Sequence, residues 1–346
     1  MKTPCKVLGS VAAIIAAALP YATDAAPSPP QYKVVQSVAL GAPDRWDYVI
    51  FDASSGRVFV AHGDELTVVD GEKGGIVGHV TGLPGITHGI ALVQDSNRGY
   101  TDEGKAGNAV SFNLKTLAVQ KHIPAAEGSD AMTFDPVSNH VFVVNGDAGN
   151  ITVIDPKTDS AVATIDVGGD LEYAVPGENG KLFVNGAEKR ELISIDTATN
   201  SVTARWPLPD CESPHGLAID PSAHRLFVSC ENQVLTVVDS QSGHIVATTP
   251  IGKGSDAVVF DAKRQLIFSS NGGDGTLSVI KAKGPKTYEF LGNIKTSVTA
   301  RTVSINPTTG RLYLATADIV PSAAPKNGRP PITPGSLKLL FLDPAQ

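Results

Sequence analysis

One phrase recurs along this chain at a near-constant interval, and that interval leaves few folds open. An alternating run ends in Phe-Asp, a turn follows, a second run ends near Phe-Val, and after a polar turn a third run ends in Val-Asp. It reads VIFDASSGRVFVAHGDELTVVD at 49–70, MTFDPVSNHVFVVNGDAGNITVID at 132–155 and LAIDPSAHRLFVSCENQVLTVVD at 217–239. A further copy covers 258–280, weaker copies fill 90–113 and 174–196, and a last copy at 303–318 closes with LKLLFLD at 337–343. The third-run ends, Asp70, Asn113, Asp155, Asp196, Asp239 and Lys281, are spaced 41 to 43 residues apart. A fourth run follows each, such as AVATIDV at 161–167. Four short strands per unit with a period near 42 residues is the arithmetic of a β-propeller and excludes the shorter helical repeats.

The seventh unit lacks a fourth strand, and YKVVQSVAL at 32–40 is a spare strand before the first unit. The predicted fold is therefore all-β: a seven-bladed propeller, one domain over 31–346, closed by the N-terminal strand pairing as the outer strand of the last blade. Such pairing removes an open sheet edge. Composition agrees with a turn-rich globular chain: 346 residues, 42% hydrophobic, 18% charged, 34 Gly and 24 Pro. Asp-Pro and Asn-Gly steps such as Asp135-Pro136 and Asn145-Gly146 are turn chemistry.

Upstream of the repeats, Lys2 and Lys6 precede an apolar run from Val7 to Leu19 and small residues to Ala25 and Ala26. This is the three-part form of a secretory signal, expected over residues 1–25, and the run is too short for a membrane span. A periplasmic or secreted protein is expected, with no membrane span once the signal is removed. Removal also takes away Cys5 and leaves Cys211 and Cys230. In an oxidising compartment these are candidates for one disulfide, since repeat geometry brings them to one end of a hairpin; two buried thiols are the alternative.

The turn-rich FDP…RVFVxNG…TVID…TIxVG pattern resembles the YVTN-type beta-propeller repeat, and nearly the whole chain beyond the signal is similar to YncE-like periplasmic proteins. The resemblance implies a seven-bladed exported propeller, in a group with one branch linked to single-stranded DNA. It does not imply one activity, because propellers host many. A formal net charge of −7 and 6% aromatic residues argue against nucleic acid as the partner here.

Aligning the units places one polar residue per blade five positions before each Phe-Asp aspartate or its counterpart: Asp47, His88, Asp130, Glu172, His215, Asp256 and Arg301. Glu172 fits with a turn one residue shorter. Inner strands line a propeller's channel, so these seven are expected to ring one mouth and to be the ligand-binding set. Four carboxylates there repel one another, and Arg301, a protonated imidazole or a bound cation offsets them. His88, Asp130, Glu172 and His215 are the candidate ligands for a divalent metal ion, since imidazole with carboxylate suits transition metals. A solvated ring that only satisfies neighbouring backbone is the competing reading.

Three functions remain open at this stage. The first is binding of a small polar molecule or metal at the mouth. The second is a metal-dependent hydrolase, lactonase or lyase using His88, His215 and Arg301. The third is an envelope scaffold binding a protein partner. His62, Asp102, Glu103, Asn145, Asn185 and Asn271 form an expected second tier at the same face. The proline-rich segment 318–336, with Lys326 and Arg329, is expected to lie over the mouth as a partial lid. Trp46, beside Asp47, either stacks on a ligand or packs between blades.

Overall fold

A computed structural model describes residues 32–321 and 330–345, together with Met1 and Thr3. The expected signal segment, Lys326 and Arg329 lie outside the described residues. The chain forms seven four-stranded antiparallel sheets. Blade 1 shows the plan, with strands Val49–Asp52, Arg57–His62, Glu65–Asp70 and Ile76–Val80. The inner strands of blades 2 to 7 are Ile90–Val93, Ser129–Asp135, Leu171–Pro176, Pro214–Asp220, Ser255–Asp261 and Thr302–Ile305. Each packs on the next, and the seventh packs back on the first. Tyr32–Ala39 pairs antiparallel with Lys338–Pro344, so the N-terminal strand completes blade 7 as expected. Tyr32 anchors it, its ring edge-on to Phe268 at 5.1 Å.

The repeated residues explain the repeated shape. Second strands such as Val58-Phe59-Val60-Ala61 are buried along their whole length, because neighbouring blades cover both faces. Outer strands such as Ser201–Pro207 alternate between exposed and half-buried. The Phe-Asp aspartates are buried turn formers: Asp52, Asp135, Asp220 and Asp261 accept backbone N–H groups two or three residues on. Arginines bolt neighbouring blades together. Arg57 donates to Leu114 O at 3.0 Å, Arg225 to Pro285 O at 2.9 Å, and Arg311 across the closing seam to Gly71 O at 3.1 Å.

Trp46 packs in the apolar cluster between blades 7 and 1, and Trp206 stacks on Phe183 at 5.9 Å. Of the two readings of Trp46, blade packing is the one its surroundings fit. Cys211 and Cys230 form a disulfide, both buried. Among the described residues no helix is long and apolar enough to cross a membrane.

Candidate functional site

Each ring residue stands where pairing between the first two strands of its blade is interrupted. In blades 3 to 6 a register shift falls at Asp130, at Glu172-Tyr173, at His215-Gly216 and at Asp256. A β-bulge leaves one extra residue unpaired and re-aims its side chain, which is how a strand residue points into the channel mouth. In blades 1, 2 and 7, Asp47, His88 and Arg301 sit one or two residues ahead of the regular strand.

Six of the seven are linked through Arg301, Asp256 and Glu172, and His88 stands beside Asp47 and Asp130. Arg301 lies 2.9 Å from Asp47 Oδ2, bonds Asp256 Oδ2 and donates to Trp46 O at 2.8 Å. Asp256 turns its other oxygen to His215, whose Nδ1 lies 3.7 Å from Asp256 Oδ1 and 3.2 Å from Glu172 Oε2. His215 Nδ1 is buried and makes no directed hydrogen bond, while Nε2 is 3.2 Å from Ser213 Oγ. His88 Nδ1 donates to Asp102 Oδ2 at 2.8 Å, and Asp102 Oδ1 also accepts the backbone N–H groups of His88 and Gly89. That leaves His88 Nε2 as the free ring nitrogen. Asp130 and Glu172 stand together in the wall of the same cavity, and Glu172 is one of the groups that raise Asp130.

Potential metal donors sort into two groups: Asp47, His88 and Asp130 in one, Glu172, His215 and Asp256 in the other, with donor atoms in each group within 4.8 Å of one another. The four residues expected to share one metal thus divide between the groups, two in each. A cavity of about 640 Å³ opens on the Asp130–Glu172 side, with His88, Arg45 and Lys105 also in its wall.

Crowding shifts the titrations. Burial, then the charges of Asp47, Glu172 and Asp256, hold the Asp130 carboxyl well above the usual range. Burial also raises Asp47, against the pull of Arg301. Burial alone would lower His215, but Glu172 and then Asp256 reverse this and bring it up to about 9. His88 is raised in the same way, its desolvation outweighed by Asp102. Asp47 and Asp130 therefore ionise less readily than in water, so the ring holds protons there that water would remove.

Residues 86–216 match a domain family of unknown function, DUF5074. The uncharacterized protein YncE of Salmonella typhimurium is 29% identical over 189 residues, and that of Salmonella typhi 28% over the same length. The chain is a β-propeller with similarity to YncE. Each match spans 52% of this chain and 52% of the relative, so the alignment covers about half the length of these relatives. Solved structures widen the fold likeness. RRP9 WD40 repeats superpose with a TM-score of 0.75 at 10% identity, over 92% of this chain and 99% of that one. A Kuenenia stuttgartiensis hydrazine synthase chain gives 0.67 at 13% identity, over 86% and 96%. At such identities the likeness is one of fold alone.

The expected second tier is corrected. His62, Asp102, Glu103, Asn145, Asn185 and Asn271 end the second strands and are buried rather than lining the mouth. They brace their surroundings: Asn185 Nδ2 donates to His215 O at 2.8 Å across the blade junction, and Asn145 Nδ2 to Thr152 Oγ1 at 3.0 Å within its blade. Of the expected lid, only the stems lie within the described residues. The described stems of 318–336 pair with each other at Ile319 and Ile332 and tie to Asp44 through Gly335 N at 2.6 Å. None of their residues lines the cavity.

An aromatic pair beside the ring was not expected from the sequence. Tyr48 and Tyr173, each one residue past a ring carboxylate, meet with ring centroids 4.7 Å apart. Their signal was present, one position along the register already used.

Proposed function

We propose that this chain is an exported propeller that binds a divalent transition metal ion at its channel mouth. The supporting observation is the pair of carboxylate–imidazole–carboxylate groups with donor atoms within 4.8 Å. Imidazole nitrogen with carboxylate oxygen suits zinc, manganese, iron or copper. Four carboxylates against Arg301 leave a surplus of negative charge, which protons partly neutralise and a divalent ion neutralises better. Asp102 supports the assignment as a carboxylate behind a ligand imidazole, the arrangement that fixes a metal-binding His. Export rests on Lys2, Lys6 and the Val7–Leu19 run, and the disulfide fits an oxidising compartment.

Elemental analysis of the chain, purified from the periplasm without chelator, tests this. A stoichiometric transition metal that is lost in the His88→Ala/His215→Ala double variant is expected. A metal-free wild type that also takes up none on dialysis against zinc or manganese removes the reading.

A second reading, hydrolase or lyase chemistry at the same ring, draws on the Asp130–Glu172 pair in the open cavity. Two carboxyls holding one proton can give and take it. Turnover of a lactone or ester panel, abolished in Asp130→Asn with the fold intact, is the required result.

A further inference from the structure

The ring repeats itself after three blades. Blades 1, 2 and 3 contribute Asp47-Tyr48, His88-Gly89 and Asp130-Ala131; blades 4, 5 and 6 contribute Glu172-Tyr173, His215-Gly216 and Asp256-Ala257. Both halves read acid–Tyr, His–Gly, Asp–Ala, and Ser precedes the last pair in each, as Ser129 and Ser255. Blade 7, with Arg301-Thr302, stands outside the pattern.

The packing follows the same repeat. The two tyrosines, one from each half, pack against each other. Both glycines sit where the third blade of their half approaches closely. A Cβ at Gly89 would lie 2.5 Å from Met132 N, and one at Gly216 would lie 2.8 Å from Ala257 Cα. No side chain fits at such separations, so each His is followed by Gly for the same steric reason in both halves. The halves meet at two junctions. At one, the Arg301 guanidinium bridges Asp256 and Asp47; at the other, Asp130 meets Glu172.

From this duplication we propose that the mouth holds two separate cation half-sites, one in each three-blade half, each taking one divalent transition metal ion. The proposal rests on the metal-binding reading above and adds number and place. Asp47, His88 and Asp130 form one half-site; Glu172, His215 and Asp256 form the other. Each closes as its own group of donors, and the six do not form one group. Three protein ligands leave coordination positions for water or an incoming ligand, as in open metal sites. Arg301 holds Asp256 by Oδ2, which leaves Oδ1 on the His215 side, so the guanidinium fixes a ligand without occupying its site. The buried, undirected Nδ1 of His215 is the donor aimed into the second half-site.

The test is a zinc count. Purified chain is stripped with chelator, dialysed, titrated with Zn²⁺ by calorimetry, then desalted and analysed for bound metal. Wild type should hold two equivalents, His88→Gln and His215→Gln one each, and the double variant none. Circular dichroism and melting of the stripped proteins show whether each variant is folded; if one is not, the wild-type count alone still decides the number. One equivalent in wild type, abolished by either single change, overturns the duplicated site but leaves the metal reading standing. No zinc in wild type overturns both. Two equivalents retained in the double variant place the metal elsewhere and also overturn the proposal.

Discussion

His88 and His215 hold matching places in the ring but are braced at opposite nitrogens. Asp102 takes Nδ1 of His88 at 2.8 Å, whereas His215 turns Nδ1 to Glu172 and Asp256 and sets Nε2 3.2 Å from Ser213 Oγ. The buried carboxylate behind His88 has no equivalent behind His215, where the matching second-strand position is Ser229. Ser229 Oγ accepts the Gly216 N–H at 3.1 Å instead. The two imidazoles are therefore chemically unequal despite their equivalent register.

Asp102→Asn keeps the size and an acceptor oxygen but removes the charge that fixes the His88 tautomer. Zinc affinity at the His88 half-site should fall roughly 10- to 100-fold, the usual effect of losing such a partner. Affinity at the His215 half-site should not change. Two-step calorimetry separates them, and equal loss at both would refute independent bracing.

Arg301 is the one arginine in the ring, and removing it strands Asp47 and Asp256. Arg301→Met should destabilise the metal-free protein by about 3–5 kcal/mol, the scale for breaking a buried charge set. Arg301→Lys should fall between, because an ammonium cannot reach Asp47, Asp256 and Trp46 O with one planar fork. Urea unfolding checks the order of the three proteins.

Acid should stabilise the metal-free ring. The His215 pKa rises to about 9 when folded, so its contribution is complete below its ordinary unfolded value near 6.5 and is lost as pH climbs to 9. Asp130 is also raised, and a raised carboxyl likewise favours the folded state at lower pH. The thermal midpoint of stripped protein should be higher at pH 6 than at pH 9, and His215→Gln should flatten the difference. A higher midpoint at pH 9 would contradict the proton-holding ring.

Reducing the Cys211–Cys230 bridge should lower stability by about 3 kcal/mol, on the chain-entropy scale for a short loop. The bridged loop carries Pro214 and leads into His215, so metal affinity should drop at the His215 half-site first. Paired melts with and without reductant, in the presence and absence of zinc, measure both effects.

Period and register carried far in the sequence. The 41-to-43-residue spacing yields seven blades, and the count back from Phe-Asp finds Asp47, His88, Asp130, Glu172, His215, Asp256 and Arg301, which the fold gathers into two donor groups and the Arg301 bridge. The role of Asp102 was hidden because its burial depends on how the second strand packs, not on its neighbours in sequence. The bulges at Asp130 and Asp256 were hidden because a bulge is defined by hydrogen bonds across two strands. The split of His88 and Asp130 from Glu172 and His215 was hidden because one register places residues on a ring without saying which are close. The acid–Tyr, His–Gly, Asp–Ala repeat needs no structure to read, but its meaning depends on the two junctions that the structure supplies.

The pairing of Tyr32–Ala39 with Lys338–Pro344 sets the timing of assembly. Six blades are each built from consecutive strands and can form as soon as about 40 residues of chain are available, but the seventh joins the two ends of the propeller. Contacts of such long sequence range form slowly, so Arg301 and Asp47, from blades at opposite ends of the propeller, meet late to complete the mouth.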